Sequence, residues 1–423
     1  MKLFKLLLSI LLSFTLVACT GTGDKDKEPS GPVELIIWNT YSEHHAEAYN
    51  KIVEDFNASQ SEVKVIVQPQ AYQDYEAKIL QAVRNGVGPD VVSAYPTAVS
   101  AYIDEGLLVD FAPFINGSDG IADFKDNLIG KLYGEITQWG EESIYMIPVV
   151  QTSEVLFYNA TWYEELNLTV PTTWEELEAN SRVILANKGV PGFGTDSEID
   201  TFQDLIVQAG SGYINPTTKT VEFDNEIALA QLTWFSELVS EGVFRLVGED
   251  FYFSNPFGSQ AVGSYLGSSA GVQYALGAAG DKFTVGVAPI PQMGLGNDYI
   301  PSWGGGYISF KTTDEKAEAA FKFLKYLSST EVSASWATTL GGLPAYQTAV
   351  ETELYQAYLD SNPAAKALYQ QVDSFGWLNS IAGSAPVRGF IGKMVQEAST
   401  GLKTPAQALQ DCVTASNNEL QAH

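Results

Sequence analysis

Three histidines, two cysteines and 23 basic residues stand against 51 carboxylates in this chain of 423 residues. The chemistry open to it is therefore narrow. His44 and His45 stand at the start of a helical pattern, and His423 is the last residue. A serine nucleophile needs a histidine beside it, and no G-x-S-x-G accompanies any of these three. The Cys and His spacing fits no zinc site, and the two cysteines do not suggest a structural disulfide. Gly304-Gly305-Gly306 lacks the helix start and spacing of a phosphate or dinucleotide loop. Paired carboxylates for glycoside hydrolysis stay open, because counting alone cannot sort so many acidic side chains. Most of them read as solvated helix faces such as Glu175-Glu176. No metal and no cofactor is expected.

Binding chemistry is better supplied. Aromatic residues make up 12% of the chain, with 8 Trp and 21 Tyr. Sugar rings have apolar faces and polar edges, so their sites combine aromatic platforms with amide, hydroxyl and carboxylate groups. Tyr72, Trp303 and Trp377 are candidate platforms, and core packing is the other reading of each. Arg388 is one of few cations and lies in an apolar, glycine-rich stretch. It could meet an anionic ligand, or close a structural ion pair with one of the many carboxylates. Cys412 has apolar company at helical spacing and reads as a small buried hydrophobe.

These residues need a scaffold, and the stretch from Ile144 to Leu177 organises it. Ile144 to Val150 and Glu154 to Tyr158 read as buried strands. They flank the polar piece Gln151-Thr152-Ser153. A chain that leaves one sheet and enters another through so few residues crosses between two lobes, and polar groups there face a ligand position. Thr173 and Glu176 form a capping box, so a helix starts at Trp174. Upstream, the spacing predicts strands at Val33 to Trp38, Val63 to Val67 and Val91 to Tyr95. They alternate with helices over Glu43 to Asn57, Tyr72 to Val83 and a third after Tyr95. Such alternation means a mostly parallel sheet covered on both faces. Ligands of such sheets sit beyond the carboxyl ends of the strands, which nominates Thr40, Tyr41, Tyr72 and Tyr95. Downstream, helices are expected over Trp174 to Asn187, Thr201 to Ala209, Glu226 to Glu241 and Glu315 to Leu327, and a strand over Phe283 to Pro289. Gly258 to Gly280 is rich in small residues. It is either a tight turn before a packed helix, or a place where backbone amides approach a ligand at Ser268 and Ser269.

Several of these pieces together resemble the extracellular solute-binding proteins (family 1) of ATP-binding cassette (ABC) importers for sugars and glycerol phosphate, such as maltodextrin- and glycerol-3-phosphate-binding proteins. The pieces are Pro148-Val149, Leu156-Phe157-Tyr158-Asn159, Pro171-Thr172-Thr173-Trp174-Glu175-Glu176-Leu177, Gly341-Gly342-Leu343-Pro344 and the terminal run from Thr400 to Leu409. The resemblance covers nearly the whole chain after its first segment. It implies an α/β, two-lobed periplasmic-binding-protein-like fold of type II, each lobe a mixed sheet flanked by helices. The lobes would be residues 33–150 plus 304–342 and residues 151–303 plus 343–423. They would be joined by a hinge of three crossings, Val149 to Ser153, Ser302 to Gly306 and Gly341 to Pro344. Tyr72, Ser269, Gly305 and Arg388 match positions that the glycerol-phosphate subgroup uses, and Thr152 stands near its serine. Two positions depart from it: Pro96 replaces a glutamate, and Gly342 replaces a tyrosine, which is expected to widen the site. The ligand-binding set is thus Tyr41, Tyr72, Tyr95, Thr152, Ser153, Ser269, Trp303, Gly305, Trp377 and Arg388.

The first residues read as an address. Lys2 and Lys5 precede an apolar core from Leu6 to Val17 that is too short to span a bilayer as a mature helix. Leu16-Val17-Ala18-Cys19 resembles a bacterial lipobox, which implies a signal peptide over residues 1–18 and lipidation of Cys19. An ordinary secretory signal with a chance cysteine and an uncleaved anchor are the other readings. Residues 19–32 read as a flexible tether. The net charge of −28 argues against nucleic acid and against electrostatic attachment to anionic lipid. The expectation is a lipid-anchored, extracytoplasmic, monomeric binding protein, not an enzyme. It would hand a mono- or oligosaccharide to a permease. Glycerol 3-phosphate or a glycerophosphodiester is the alternative ligand, and a carbohydrate-active enzyme is the alternative class.

Overall fold

The computed structural model describes residues 31–71, 75–302 and 305–423. The signal segment, Cys19, Tyr72 and Trp303 lie outside these described residues.

The chain opens with strand β1 (Val33–Asn39), helix α1 (Glu43–Ser59), strand β2 (Val63–Pro69), helix α2 (Tyr75–Arg84), strand β3 (Val91–Ala94) and helix α3 (Pro96–Asp104). β1 lies between β2 and β3 and is parallel to both, with Val33 opposite Val63 and Ile37 opposite Val91. A late strand, Gly306–Ser309, pairs antiparallel with β3, Gly306 opposite Ala94. α1 turns Tyr49, Val53 and Phe56 inward at helical spacing. Asp90 explains the sharp start of β3. Its buried carboxylate accepts from the Ile36 amide at 2.8 Å and from Lys316 Nζ at 2.7 and 2.9 Å. One side chain thereby ties β1, β3 and helix Asp314–Leu327.

The second sheet has five strands, in the order Val285–Ala288, β5 (Glu154–Asn159), Ser264–Ser268, β6 (Phe193–Thr195) and Phe244–Leu246. β5 runs antiparallel to both neighbours, and the other pairs are parallel. Both sheets carry helices on their faces, so the fold is the expected two-lobed α/β arrangement. The capping box forms: Thr173 Oγ1 accepts from the Glu176 amide at 3.2 Å, and Glu176 accepts from the Thr173 amide at 3.3 Å. Helix Glu198–Gln208 starts three residues before its expected position, because Ser197 caps it by accepting from the Asp200 amide.

The segment from Ile144 to Val150 differs from expectation. It makes one bridge, Ile147 to Tyr307, and becomes a strand only at β4 (Val150–Gln151). Pro148 has no amide hydrogen, so no ladder can run through it. The outer bonds go elsewhere: the Phe111 amide donates to the Ile144 carbonyl, and the Ala345 amide to that of Val149.

Candidate functional site

The crossings are bonded to one another. β4 pairs antiparallel with Leu343–Pro344, and Ile300–Pro301 pairs in parallel with Phe375–Gly376. Ser153 Oγ donates to the Pro301 carbonyl at 2.6 Å, and Tyr355 Oη donates to that of Gly342 at 2.8 Å. Each hydroxyl closes a carbonyl that no regular ladder serves.

Around this knot the structure brings together some of the candidate residues. Ser153 and Ser269 are fully buried, and the Ser269 amide donates to the Ser153 carbonyl at 2.9 Å. Ser153 thus bolts the hinge with its hydroxyl. Ser269 Oγ has no partner among the described residues. Thr152, next to Ser153 in the chain, is half-buried, and its methyl group would lie 3.2 Å from a Cβ at Gly342. Tyr95 caps α3 and is 44% exposed, beside Gly305. Gly305 has φ +49°, and a Cβ there would stand 2.4 Å from the Ala94 carbonyl oxygen, so only glycine fits this turn. Pro96 is buried, and its carbonyl accepts from Ser380 Oγ at 2.7 Å.

Gly342 does not widen the site as expected. It is buried, and a Cβ there would lie 2.6 Å from the Gln151 carbonyl oxygen. The backbone of the first crossing takes up the space that the small residue leaves.

Two further candidates pack against other parts of the fold. Tyr41 belongs to an aromatic cluster of the first lobe. Its hydroxyl lies 3.1 Å from that of Tyr307, and its ring is 5.2 Å from Tyr49 and 5.0 Å from Trp336. Trp377 is half-buried and rests on a glycine: a Cβ at Gly134 would stand 2.4 Å from Cη2 of its ring. With Glu135, Ser302 and Phe375 it lines a cavity of about 10 Å³.

Arg388 lies on helix Ser384–Ser399 and grips Asp200 with both terminal nitrogens, at 2.7 and 3.0 Å; Gln203 adds a bond at 3.2 Å. This is the structural ion pair that the sequence left open for it. Burial works against its charge, but Asp200 outweighs burial and holds the guanidinium above its ordinary pKa. Burial raises the Glu76 carboxyl of α2, while the field of Arg388 opposes it. The two lobes therefore sense each other here.

Sequence reasoning missed the buried acids. Glu154, at the start of β5, and Asp204, on helix Glu198–Gln208, are fully buried. Their four oxygens meet no donor among the described residues, and the bond between the two carboxyls exists only when one holds a proton. Burial pushes both well above the carboxylate range. Asp196, at the carboxyl end of β6, is raised by burial to about 7 although the Phe253 amide bonds it. Their spacing gives no warning: Asp200, Gln203 and Asp204 share one helical face, a pattern that reads as the solvated side of an amphipathic helix. Among the described residues no cluster of His, Cys, Asp and Glu could hold a metal ion.

Comparison with known proteins bears on this architecture. The sequence profile of a family described as bacterial extracellular solute-binding protein matches residues 51–366. The sn-glycerol-3-phosphate-binding periplasmic protein of Yersinia enterocolitica is 22% identical over 409 residues, 90% of this chain and 91% of that one. The protein of the same name from Salmonella typhimurium is 22% identical over 411 residues, 91% and 92% of the two chains. Among solved structures, the GacH receptor of Streptomyces glaucescens, studied unliganded and with acarbose, superposes with a TM-score of 0.81 at 21% identity, covering 92% and 99%. The cyclic alpha-maltosyl-1,6-maltose binding protein of Arthrobacter globiformis gives 0.77 at 23% identity, covering 93% and 100%. At such identities the superpositions speak for the fold. The profile match spans most of the sequence, and the chain belongs to the family of bacterial extracellular solute-binding proteins.

Proposed function

We propose that this chain is the substrate-binding component of an ABC importer, which captures a neutral mono- or oligosaccharide between its lobes and presents it to a membrane permease. The observation that carries the choice of ligand is the state of Arg388. The guanidinium that would receive a phosphate is already engaged by Asp200 and Gln203. A phosphate would have to displace a buried carboxylate, whereas a neutral sugar leaves the pair intact. The fold of sugar-binding neighbours supports the same reading. Glycerol 3-phosphate is the second reading, favoured by the relatives of that specificity, which match 90% of the chain or more. Thr152, Tyr95, Trp377 and the backbone at Gly305 are the described groups we assign to the ligand. Tyr72 and Trp303 are assigned with them from sequence alone. Ligand that touches both lobes stabilises the closed arrangement about the three crossings.

A thermal-shift screen tests this. A neutral sugar at a hundred times its dissociation constant adds about 2.7 kcal/mol to the unfolding free energy. Stabilisation by glycerol 3-phosphate alone would establish the second reading. The same mixtures, followed by mass at high protein concentration, should show no conversion of ligand beyond stoichiometry; turnover would make the protein an enzyme.

We also assign a lipid anchor to Cys19, on the lipobox-like sequence before it. Mass spectrometry of the protein from the membrane fraction should find a diacylated Cys19 as its first residue. An unmodified protein recovered wholly in the soluble fraction would remove the anchor.

A further inference from the structure

Ser302 Oγ stands 3.1 Å from Glu135 Oε2 and 3.2 Å from Gln151 Oε1. A hydroxyl has one hydrogen and cannot donate to two acceptors. If Ser302 donates to Gln151, then Glu135 must donate to Ser302, which requires a proton on the carboxyl. We propose that Glu135 is a positioning residue of the hinge, protonated at neutral pH, which through Ser302 ties the first crossing to the second, so that ligand affinity falls when the proton is lost. The affinity part rests on the binding function proposed above.

The surroundings favour the protonated form. Glu135 is 3% exposed and enters no ion pair among the described residues. An ionised carboxylate there would be stripped of water without a counter-charge. Burial pushes its pKa to about 8, against the bond from Ser302. Lys131, just before the short helix Leu132–Ile136, lines the same cavity, but its side chain is exposed to solvent. Tyr299, next to the second crossing, is a titratable group that feels the charge of Glu135, and burial keeps that phenol neutral. Leu132, Phe375 and Trp377 close the remaining sides. The cavity of about 10 Å³ has room for about one water, too little to hydrate a charge.

Loss of the proton reorders the chain of bonds. Ser302 turns its hydrogen to the carboxylate, and Gln151 Oε1 loses its donor. Gln151 Nε2 already lacks a partner among the described residues. Gln151 lies in β4, which pairs with Leu343–Pro344, so the loosened side chain belongs to two crossings at once. The competing arrangement turns the Gln151 amide over. Its Nε2 then donates to Ser302, Ser302 donates to an ionised Glu135, and no proton is present to lose.

Two measurements decide. Infrared difference spectra of the ligand-free protein, taken on either side of its alkaline titration, should contain a protonated-carboxyl band that disappears in Glu135→Gln. An unchanged spectrum in that variant overturns the proposal, even if no ligand has been found. Calorimetric titration then uses whichever of maltose, maltotriose or glycerol 3-phosphate gives the largest thermal shift. Between about pH 7 and about pH 9 the competent fraction falls about tenfold, and the dissociation constant of the wild type should rise about tenfold with it. Glu135→Gln keeps a donor for Ser302 without a titrating proton, so its affinity should stay flat. A flat wild type, or parallel curves for both proteins, overturns the link to affinity. Absence of any thermal shift would instead count against the binding reading, while the ligand-free spectra still decide the proton.

Discussion

Arg388→Ala should lower the unfolding free energy by about 3 kcal/mol while leaving affinity for a neutral sugar within a few-fold of the wild type. The Asp200 side chain is 4% exposed, and Arg388 supplies two of its bonds. Removing the guanidinium leaves a buried carboxylate with the Ser197 hydroxyl to satisfy it. Breaking a buried pair from one side costs about 3–5 kcal/mol. The Arg388 side chain is 30% exposed, so the low end applies. Replacing both partners with apolar residues of similar size should recover most of the loss, because the desolvated charge goes with them. Urea unfolding reads the effect as a shift in midpoint at constant slope. A loss below about 1 kcal/mol would mean that the pair behaves like a surface salt bridge. A large fall in glycerol 3-phosphate affinity without loss of stability would return Arg388 to the ligand.

The second large effect is a reversed pH dependence. Carboxylates in salt bridges usually make a fold weaker in acid. Glu154 and Asp204 act in the opposite direction, because burial raises both above their unfolded values. Unfolded carboxyls titrate near pH 4. From there up to the folded values, the fold holds protons that the unfolded chain has released. Stability from this pair is fully present below about pH 4, and falls by about 1.4 kcal/mol per pH unit for each such proton as the pH rises. The neighbouring charges of Asp200 and Asp196 push in the same direction. The double variant Glu154→Gln, Asp204→Asn keeps the shape and removes both protons. Its stability should change less between about pH 5 and about pH 9, and should exceed the wild type at the alkaline end. Equal slopes in both proteins would show that the pair does not titrate in this range.

Much of the fold was legible because its local signals agree with its packing. Alternating strand and helix gave β1 to β3 with α1 to α3, and Thr173 with Glu176 marked a helix start that the structure shares. The segment from Ile144 to Val150 was misread because its composition is that of a strand, while the proline within it breaks the ladder. The candidate site was legible in part. Ser153 and Ser269 do converge, since the strand Ser264–Ser268 pairs with β5 and ends beside the first crossing. The roles of their side chains were not legible. That Ser153 reaches the Pro301 carbonyl across 148 positions in sequence is tertiary information. The same holds for Glu135, which looks like any other acid until Ser302 and Gln151 are set against it. Among 51 acidic residues, a single sequence does not mark the few that fold inward.

The antiparallel pairing of Gly306–Ser309 with β3 also fixes an order in time. β3 ends at Ala94, and its outer neighbour begins about 210 residues later, which at about 5–20 residues per second of synthesis is roughly 10–40 s. Throughout that interval the edge of β3 has open donors and acceptors that invite wrong partners. The second sheet lies wholly between Glu154 and Ala288, so all its strands exist before that edge can close. The sheet that emerges first is therefore the last to be completed. For a growing or translocating chain, the vulnerable period is set by the length of the excursion into the second lobe, and a longer insertion there would extend the exposure of the first.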